Sequence, residues 1–376
     1  MRLLIVSDTA IYRDKHENFL EVYEPTLREI ESLNDLFLDI TWLGYYKGSN
    51  PGNARKPYPK NIYLNTLPTV IGGNNFLKKF KVVPILPLLF LKIIRALRTH
   101  DVIHTRGPSV PAFVCILLSF VFRNKKYWHK YAGNWMEPHP PFMYKVQKWL
   151  LMRAKNTKVT INGKWPNQPA HVFTLENPCF TALELERAIV AGSHKSFVVP
   201  LTLCFAGLID ESKGVQALVR AFEYLDHPER YITKLILAGH GPGMEEVMKL
   251  AERISVQVEF TGYIQRQSLN EVYRQSHALL LPSRTEGFPK VVAEAASFGC
   301  IPIVTDVSSV GQYVRDGING FLLKDAQPET IACALTRLLN TRNLHELSYE
   351  AKVMSGLFTY ERFREVISNC VINQKS

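Results

Sequence analysis

Short apolar runs punctuate the chain, and the stretches between them carry apolar residues three and four positions apart. That rhythm predicts buried strands alternating with amphipathic helices. From Leu201 it is regular: LTLCFAG, KLILAGHG, QVEFTGYI, HALLLPS and IPIVTD read as strands, with helical spacing between them. Such alternation predicts a parallel sheet covered by helices on both faces. Most of these runs end in Gly, Pro-Ser or Asp, the small and polar residues expected where ligands meet the carboxyl ends of a doubly wound sheet. The earlier half has the same ingredients in RLLIVSD, LFLDITWLG, DVIHTRG, KKYWHKYAG and TKVTING. Two similar α/β units are expected, with their boundary in AGSHKSFVVP, residues 191–200. Val110 to Phe122 is apolar all round and predicts a buried helix. Beyond residue 340 the pattern is helical only, and Phe363, Val366, Ile367 and Cys370 fall on one face that needs a surface to cover.

A length of 376 residues with 46% apolar and 21% charged residues suits two globular domains and excludes a disordered or fibrous chain. The first apolar run is broken at Asp8, too short for the ~7–15-residue core of a secretory signal. The longest run, Val110 to Phe122, falls short of the ~20 residues of a spanning helix. Six cysteines are widely spaced without a C-x-x-C pair, as expected of reduced thiols in a cytoplasmic protein.

Charge changes the picture. The net +11 is concentrated between residues 40 and 175, where 21 Lys and Arg face only Asp101 and Glu137. An anionic partner for the first half follows: a membrane surface, a phosphorylated substrate or nucleic acid. The last lacks a zinc-binding spacing, an RNP-like strand or a helix-turn-helix signature, so no nucleic-acid partner is expected.

Two segments of the second half carry candidate chemistry. In PSRTEGFPKVVAEAASFG a strand delivers a loop, and Pro289 suits the first turn of a helix. Backbone N–H groups at Phe288, Lys290 and Val291 would then form a phosphate seat at the helix start. Glu286 lies in the loop and Glu294 about a turn and a half into the helix. A carboxylate beside a phosphate needs another partner, and the vicinal hydroxyls of a ribose supply one. In LTLCFAGLIDESKGVQALVRAF a strand ends at Gly207, and Lys213-Gly214 opens a helix. Lys213 is placed to reach a phosphate as a point charge.

In their order and spacing, FAGLIDESKG, AGHGPG, EFTGYI and SRTEGFPKVVAEAASFG resemble the second domain of glycosyltransferase family 4, retaining sugar transferases of the GT-B fold. The E-x7-E pair Glu286 and Glu294 is that family's hallmark, and the resemblance covers roughly residues 198–355. It implies an α/β protein with two Rossmann-like domains facing each other across a cleft. The expected organisation is an acceptor-binding domain over 1–195, a nucleotide-sugar-binding domain over 196–355, and a C-terminal helix over 356–376 packing back on the first. It further implies that Lys213 contacts the donor diphosphate, Glu294 the ribose and Glu286 the transferring sugar, with the base near Gly262 and Tyr263. Gly207, Gly287, Phe288, Pro289, Lys290 and Val291 complete the donor set, and Glu286 and Lys213 are the catalytic candidates.

Three positions depart from the family pattern. Leu208 stands where an Arg is common, so Lys290 or a base of the first domain would substitute. VSDTAIYRDKHENF replaces a Gly-rich loop and offers Asp8 and Arg13. Ala132 stands where a His is common, with His104, His129 and Lys130 as alternatives. Arg106, Asn134 and Trp135 join the acceptor-side candidates, and Tyr127, Trp128, Tyr131 and Trp135 read as a sugar-stacking platform. No D-x-D occurs in the chain, so no metal and no cofactor beyond the UDP- or GDP-sugar co-substrate is expected.

Residues 76–98 combine six basic residues, no acid and an apolar stretch around Phe76 and Pro84 to Leu91. Lys92, Arg95 and Arg98 share a helix face, which predicts peripheral contact with an anionic membrane. The expected protein is a cytoplasmic, peripherally membrane-associated, metal-independent retaining hexosyltransferase acting on a lipid-linked or polysaccharide acceptor in cell-surface glycan synthesis. A sugar-nucleotide epimerase of similar fold and a non-catalytic glycan- or lipid-binding protein are the alternatives.

Overall fold

In the computed structural model of the chain, which describes residues 1–14, 19–50, 52–69 and 83–373, Leu3 to Val6 are completely buried. They form the middle of a parallel sheet because an uninterrupted apolar run has no face left for water. The chain divides into two compact units, Met1–Leu175 with Phe363–Ser376, and Glu176–Arg362.

The first unit holds β1 (Arg2–Arg13), β2 (Leu20–Tyr23), α1 (Glu24–Glu31), β3 (Asp39–Ser49), β4 (Ala54–Arg55), β5 (Ile62–Leu67) and α2 (Leu86–Arg98). It continues through β6 (Val102–Gly107), α3 (Val110–Val121), β7 (Lys126–Tyr131), α4 (Phe142–Arg153), β8 (Lys158–Ile161) and β9 (Val172–Thr174). The parallel strands run β5-β3-β1-β6-β7-β8-β9, and β2 pairs antiparallel with the far end of β1. One face is covered by α1 through Leu27 and Ile30, and by the C-terminal segment through Phe363, Ile367 and Val371. The other carries α2 and α3 around Leu89, Ile93, Val114 and Leu118, then α4 through Leu151.

The second unit opens with α5 (Ala182–Ala191), then β10 (Leu201–Ala206), α6 (Val215–Arg220), β11 (Ile232–Ala238), α7 (Met244–Ala251), β12 (Gln257–Gly262) and α8 (Arg266–Gln275). After these come β13 (Ala278–Leu281), α9 (Lys290–Ser297), β14 (Ile301–Thr305), α10 (Val310–Tyr313), β15 (Phe321–Leu323), α11 (Pro328–Asn340) and α12 (Leu344–Ser355), and α13 (Tyr360–Ile367) starts here and runs on into the segment grouped with the first unit. Its sheet runs β12-β11-β10-β13-β14-β15, all parallel, so strand order reverses between β10 and β13.

The unit begins at Glu176, ahead of the boundary expected at 195/196. Helix α5 explains the difference: Thr181 and Glu184 close a capping box at its start, and Ala188 packs into the second core. A side chain on Gly192 would meet the Phe298 carbonyl at 2.3 Å. The polar stretch at 191–200 is therefore a connection inside this unit. At the other end Phe363, rather than residue 356, begins the segment grouped with the first unit. Phe363 and Ile367 are buried as their spacing predicts, with Val366 partly so and Val371 in the place expected of Cys370. The run Val110 to Phe122, apolar all round and expected as a buried helix, forms α3 (Val110–Val121), whose last residue Val121 is exposed.

Candidate functional site

The two chemistry-bearing segments of the second unit leave the sheet on either side of its reversal, where a doubly wound sheet opens a crevice at its strand ends. Gly207 follows β10, and the loop 282–289 follows β13. The neighbouring strand ends fit because they lack side chains. Gly207 N donates to the Ala238 carbonyl at 3.0 Å and Gly239 N to that of Gly262 at 2.9 Å. A Cβ on Gly239, whose φ is +154°, would lie 1.8 Å from the Gly207 carbonyl oxygen. The glycines of FAG, AGHGPG and FTG therefore form one seam along the β10-β11-β12 edge. Tyr263, just beyond it, is 57% exposed.

Asp210 caps the short turn Glu211–Lys213, accepting from Lys213 N at 3.0 Å. Gly214 then takes φ +68° against the Pro282 carbonyl, so the turn is pressed onto the loop after β13. Arg284 N donates to the Ser212 carbonyl at 2.8 Å, and its guanidinium pairs with Glu211 at 2.6 Å. Across this junction the Lys213 ammonium is ion-paired with the Glu286 carboxylate, both largely shielded from solvent. The loop is anchored beneath by Phe288, stacked on Phe358 with ring centroids 4.4 Å apart, and by buried Ser309, whose hydroxyl donates to the Gly287 carbonyl at 3.1 Å.

Pro289 is the residue before the first turn, in an extended conformation, and α9 starts at Lys290. The first-turn N–H groups thus come from Lys290 and Val291, while Phe288 is buried as an anchor. Lys290, Val291 and Gly287 are half-buried at this helix start. Glu294 lies one turn on, with Arg266 Nη1 at 3.9 Å from its carboxylate. Arg266 itself donates to the Cys179 carbonyl at 2.9 Å and lies 3.6 Å from Glu184. The assembly offers a cation, a helix N-terminus and two carboxylates around one set of strand ends, which suits a phosphate flanked by hydroxyl-rich groups.

Residues 192–353 match the family model described as glycosyl transferases group 1. This stretch is a group 1 glycosyl transferase domain. A D-inositol 3-phosphate glycosyltransferase of Streptomyces griseus is 30% identical over 165 residues, 41% of this chain and 34% of that enzyme. An uncharacterized 41.2 kDa protein in the cps region of Klebsiella pneumoniae is 24% identical over 298 residues, 74% of this chain and 79% of its own. Matches to several curated relatives span less than half of their length. Among solved structures, Anabaena HepE in complex with UDP and glucose has a TM-score of 0.70 at 15% identity and covers all of both chains. Sucrose-phosphate synthase of Thermosynechococcus elongatus has a TM-score of 0.68 at 17% identity over 98% of this chain and 97% of its own. At such identities the likeness is one of fold, and the fold is GT-B.

Within the group 1 domain, Leu208 is 51% exposed. It adds no charge at the position where the sequence resemblance leads one to expect Arg. Arg266 is the residue the sequence reading missed. Its only signal is a cation at a helix N-terminus, where the dipole disfavours it. Ser283 and Thr305, at the ends of the adjacent strands β13 and β14, have buried hydroxyls without a partner among the described residues. No group of three or more His, Cys, Asp or Glu among the described residues is placed to hold a metal ion.

The first unit treats its candidates unequally. β1 runs on through the place of a Gly-rich loop, with a register shift between Val6 and Ala10 that leaves Asp8 exposed. Desolvation of the carboxyl by the surrounding chain raises the Asp8 pKa, partly offset by a backbone hydrogen bond and then by Arg106 and Lys47. Arg13 is exposed, while residues 15–18 lie outside the described residues. His104 and His129 do not face solvent. His104 stacks on Trp128 at 3.7 Å and His129 shares a hydrogen bond with Thr105 at 2.8 Å. Burial lowers the pKa of both imidazoles, that of His129 to about 3. Lys130 is also buried, paired at 2.6 Å with Glu29, which additionally holds Arg106 at 2.8 Å. Tyr127, Trp128, Tyr131 and Trp135 are 0–4% exposed, so they are core rather than a stacking platform. A central parallel strand covered on both faces has no solvent side to offer. Asn134 is half-buried and donates to Glu137 at 3.1 Å, and Ala132 is exposed at the end of β7.

Proposed function

We propose that this protein is a retaining glycosyltransferase that moves a hexose from a UDP- or GDP-sugar to a lipid-linked or polysaccharide acceptor. The observation that carries the reading is the Lys213–Glu286 junction beside the α9 N-terminus, within the group 1 domain. The donor diphosphate takes Lys213 and the first-turn N–H groups of Lys290 and Val291. Glu286 is released to the hydroxyls of the transferring sugar, Glu294 takes the ribose, and the base lies at Gly262 and Tyr263. A same-face displacement follows: the bond from the anomeric carbon to the leaving phosphate breaks as the acceptor hydroxyl adds to the same face. The phosphate oxygen takes the acceptor proton, and Lys213 with the helix start stabilises the charge it develops. Because the chain has no D-x-D, this charge work is assigned to Lys213 and the helix start, and turnover is expected to survive chelation.

The acceptor belongs to the basic first unit, with the protein held at the cytoplasmic membrane surface. UDP bound to Anabaena HepE and the cps-region location of the Klebsiella relative support a nucleotide-sugar donor and a glycan product. The test is a panel of UDP-, GDP- and ADP-sugars with and without membrane extract. Transfer to extract lipid or glycan with the anomeric configuration kept is the expected result. A new nucleotide sugar formed without acceptor would make it an epimerase, and binding without turnover would make it a lectin-like protein.

A further inference from the structure

Helix α4 packs Leu150, Leu151 and Met152 on the core, yet it leaves other large apolar side chains in solvent. Leu151 and Gln147 turn inward, while Phe142 is 77% and Trp149 52% exposed, and Met143 and Tyr144 are also exposed. Phe142, Lys145, Trp149 and Arg153 recur at helical spacing on one outer face, with the Arg153 guanidinium 3.9 Å from the Trp149 ring centroid. Large aromatics interleaved with cations are the composition of a helix lying in a lipid headgroup layer.

We propose that this face of α4 is a docking surface for an anionic lipid bilayer. Charge selects the occupant: residues 138–175 contain six Lys and Arg and no acid, a bias that suits a dense anionic plane. The surface continues across the same layer of the unit, since α3 packs against both α4 and α2. Helix α2 adds exposed Leu88 and Leu91, with Lys92, Arg95 and Arg98 also facing solvent. The region expected from sequence to touch the membrane is therefore the smaller part of the surface among the described residues; Phe76, Lys78, Lys79 and Lys81 lie outside them. This inference rests on the proposed membrane association and names the element that performs it.

The test is co-sedimentation of the full chain with phosphatidylglycerol-containing and pure phosphatidylcholine vesicles at low salt. Wild type is compared with Phe142→Ser/Trp149→Ser and with Lys145→Gln/Arg153→Gln. Selective binding to the anionic vesicles is expected, weakened at least ~10-fold by either pair of changes, with the melting temperature and nucleotide affinity unchanged. Wild-type binding that both variants retain would overturn the role of α4 and leave membrane association standing. Absence of wild-type binding would overturn both. A wild-type dimer that the same changes dissociate, without lipid binding, would reassign the face to a second copy of the chain.

Discussion

Lys213 and Glu286, separated by 73 positions in the chain, are ion-paired across the point where the second sheet reverses its order. The two residues are each other's partner, and under the proposed function donor binding is a partner exchange in which the diphosphate replaces Glu286 at the ammonium. Removing the cation and removing the anion should then have opposite effects on nucleotide affinity. Lys213→Ala should cost roughly 3 kcal/mol of transition-state stabilisation, or ~100-fold in kcat, and weaken binding of the nucleoside diphosphate. Glu286→Gln frees the ammonium, so diphosphate affinity should be equal or higher while transfer falls. Calorimetric titration beside single-turnover transfer separates the two. A Lys213→Ala enzyme with near-normal turnover would remove Lys213 from the mechanism.

The backbone that sets up this pair should be intolerant of a single methyl group. Gly214 has φ +68°, and a Cβ there would lie 2.2 Å from the Pro282 carbonyl oxygen. Gly317 has a similar φ of +71° with nothing within 4 Å of the same position. Gly317→Ala therefore carries only the left-handed strain, ~1–2 kcal/mol. Gly214→Ala must also push a backbone carbonyl away and should lose distinctly more, together with nucleotide binding. Urea midpoints of the two variants check this; equal losses would mean that the carbonyl yields freely.

Much of this arrangement was legible in the chain because strongly apolar strands identify themselves. All ten strands expected from apolar runs are present, whereas β2, β4, β5, β9 and β15 are short or half-exposed and gave no such signal. In the group 1 domain, Lys213, Glu286 and Glu294 could be singled out one by one, but their mutual pairing and the contact with Arg266 depend on strand order, which spacing does not encode. The first unit was harder. His104, His129 and Lys130 stand out by side-chain chemistry in DVIHTRG and KKYWHKYAG, but both segments are central strands covered by helices on either side, so the three are buried. Polar residues on such strands carry structural charge and hydrogen bonds that look catalytic in a linear reading.

Those buried imidazoles predict acid sensitivity. His129 stays neutral in the fold down to about pH 3, while in the unfolded chain it takes up a proton near pH 6.5. Its folded pKa is thus depressed, the unfolded state binds more protons below pH 6.5, and stability present above that value is lost as pH falls toward 3. Between pH 7.5 and 5.5 this one residue should remove about 1.4 kcal/mol, and His104, depressed in the same direction, adds to the loss. His129→Gln should reduce the difference between urea midpoints at the two pH values by about that amount. An unchanged difference would show that the imidazole is protonated in the folded protein.

Glu29, 1% exposed, bridges two cations, with Lys130 at 2.6 Å and Arg106 at 2.8 Å. Its partners lie 101 and 77 residues away in sequence. Glu29→Gln would put a neutral amide against buried Lys130 and half-buried Arg106, and a loss of about 3–5 kcal/mol is expected because one member of a buried ion pair is removed while its partners keep their charge. Replacing all three with apolar residues of similar size should cost far less, since desolvation of the charges disappears along with their attraction. Thermal melts of the single and triple variants make the comparison. If the single change is nearly neutral, Arg106 and Lys130 must have solvent or an anion within reach, and the cluster would then merit testing as part of the acceptor site rather than as a strut between α1 and the sheet.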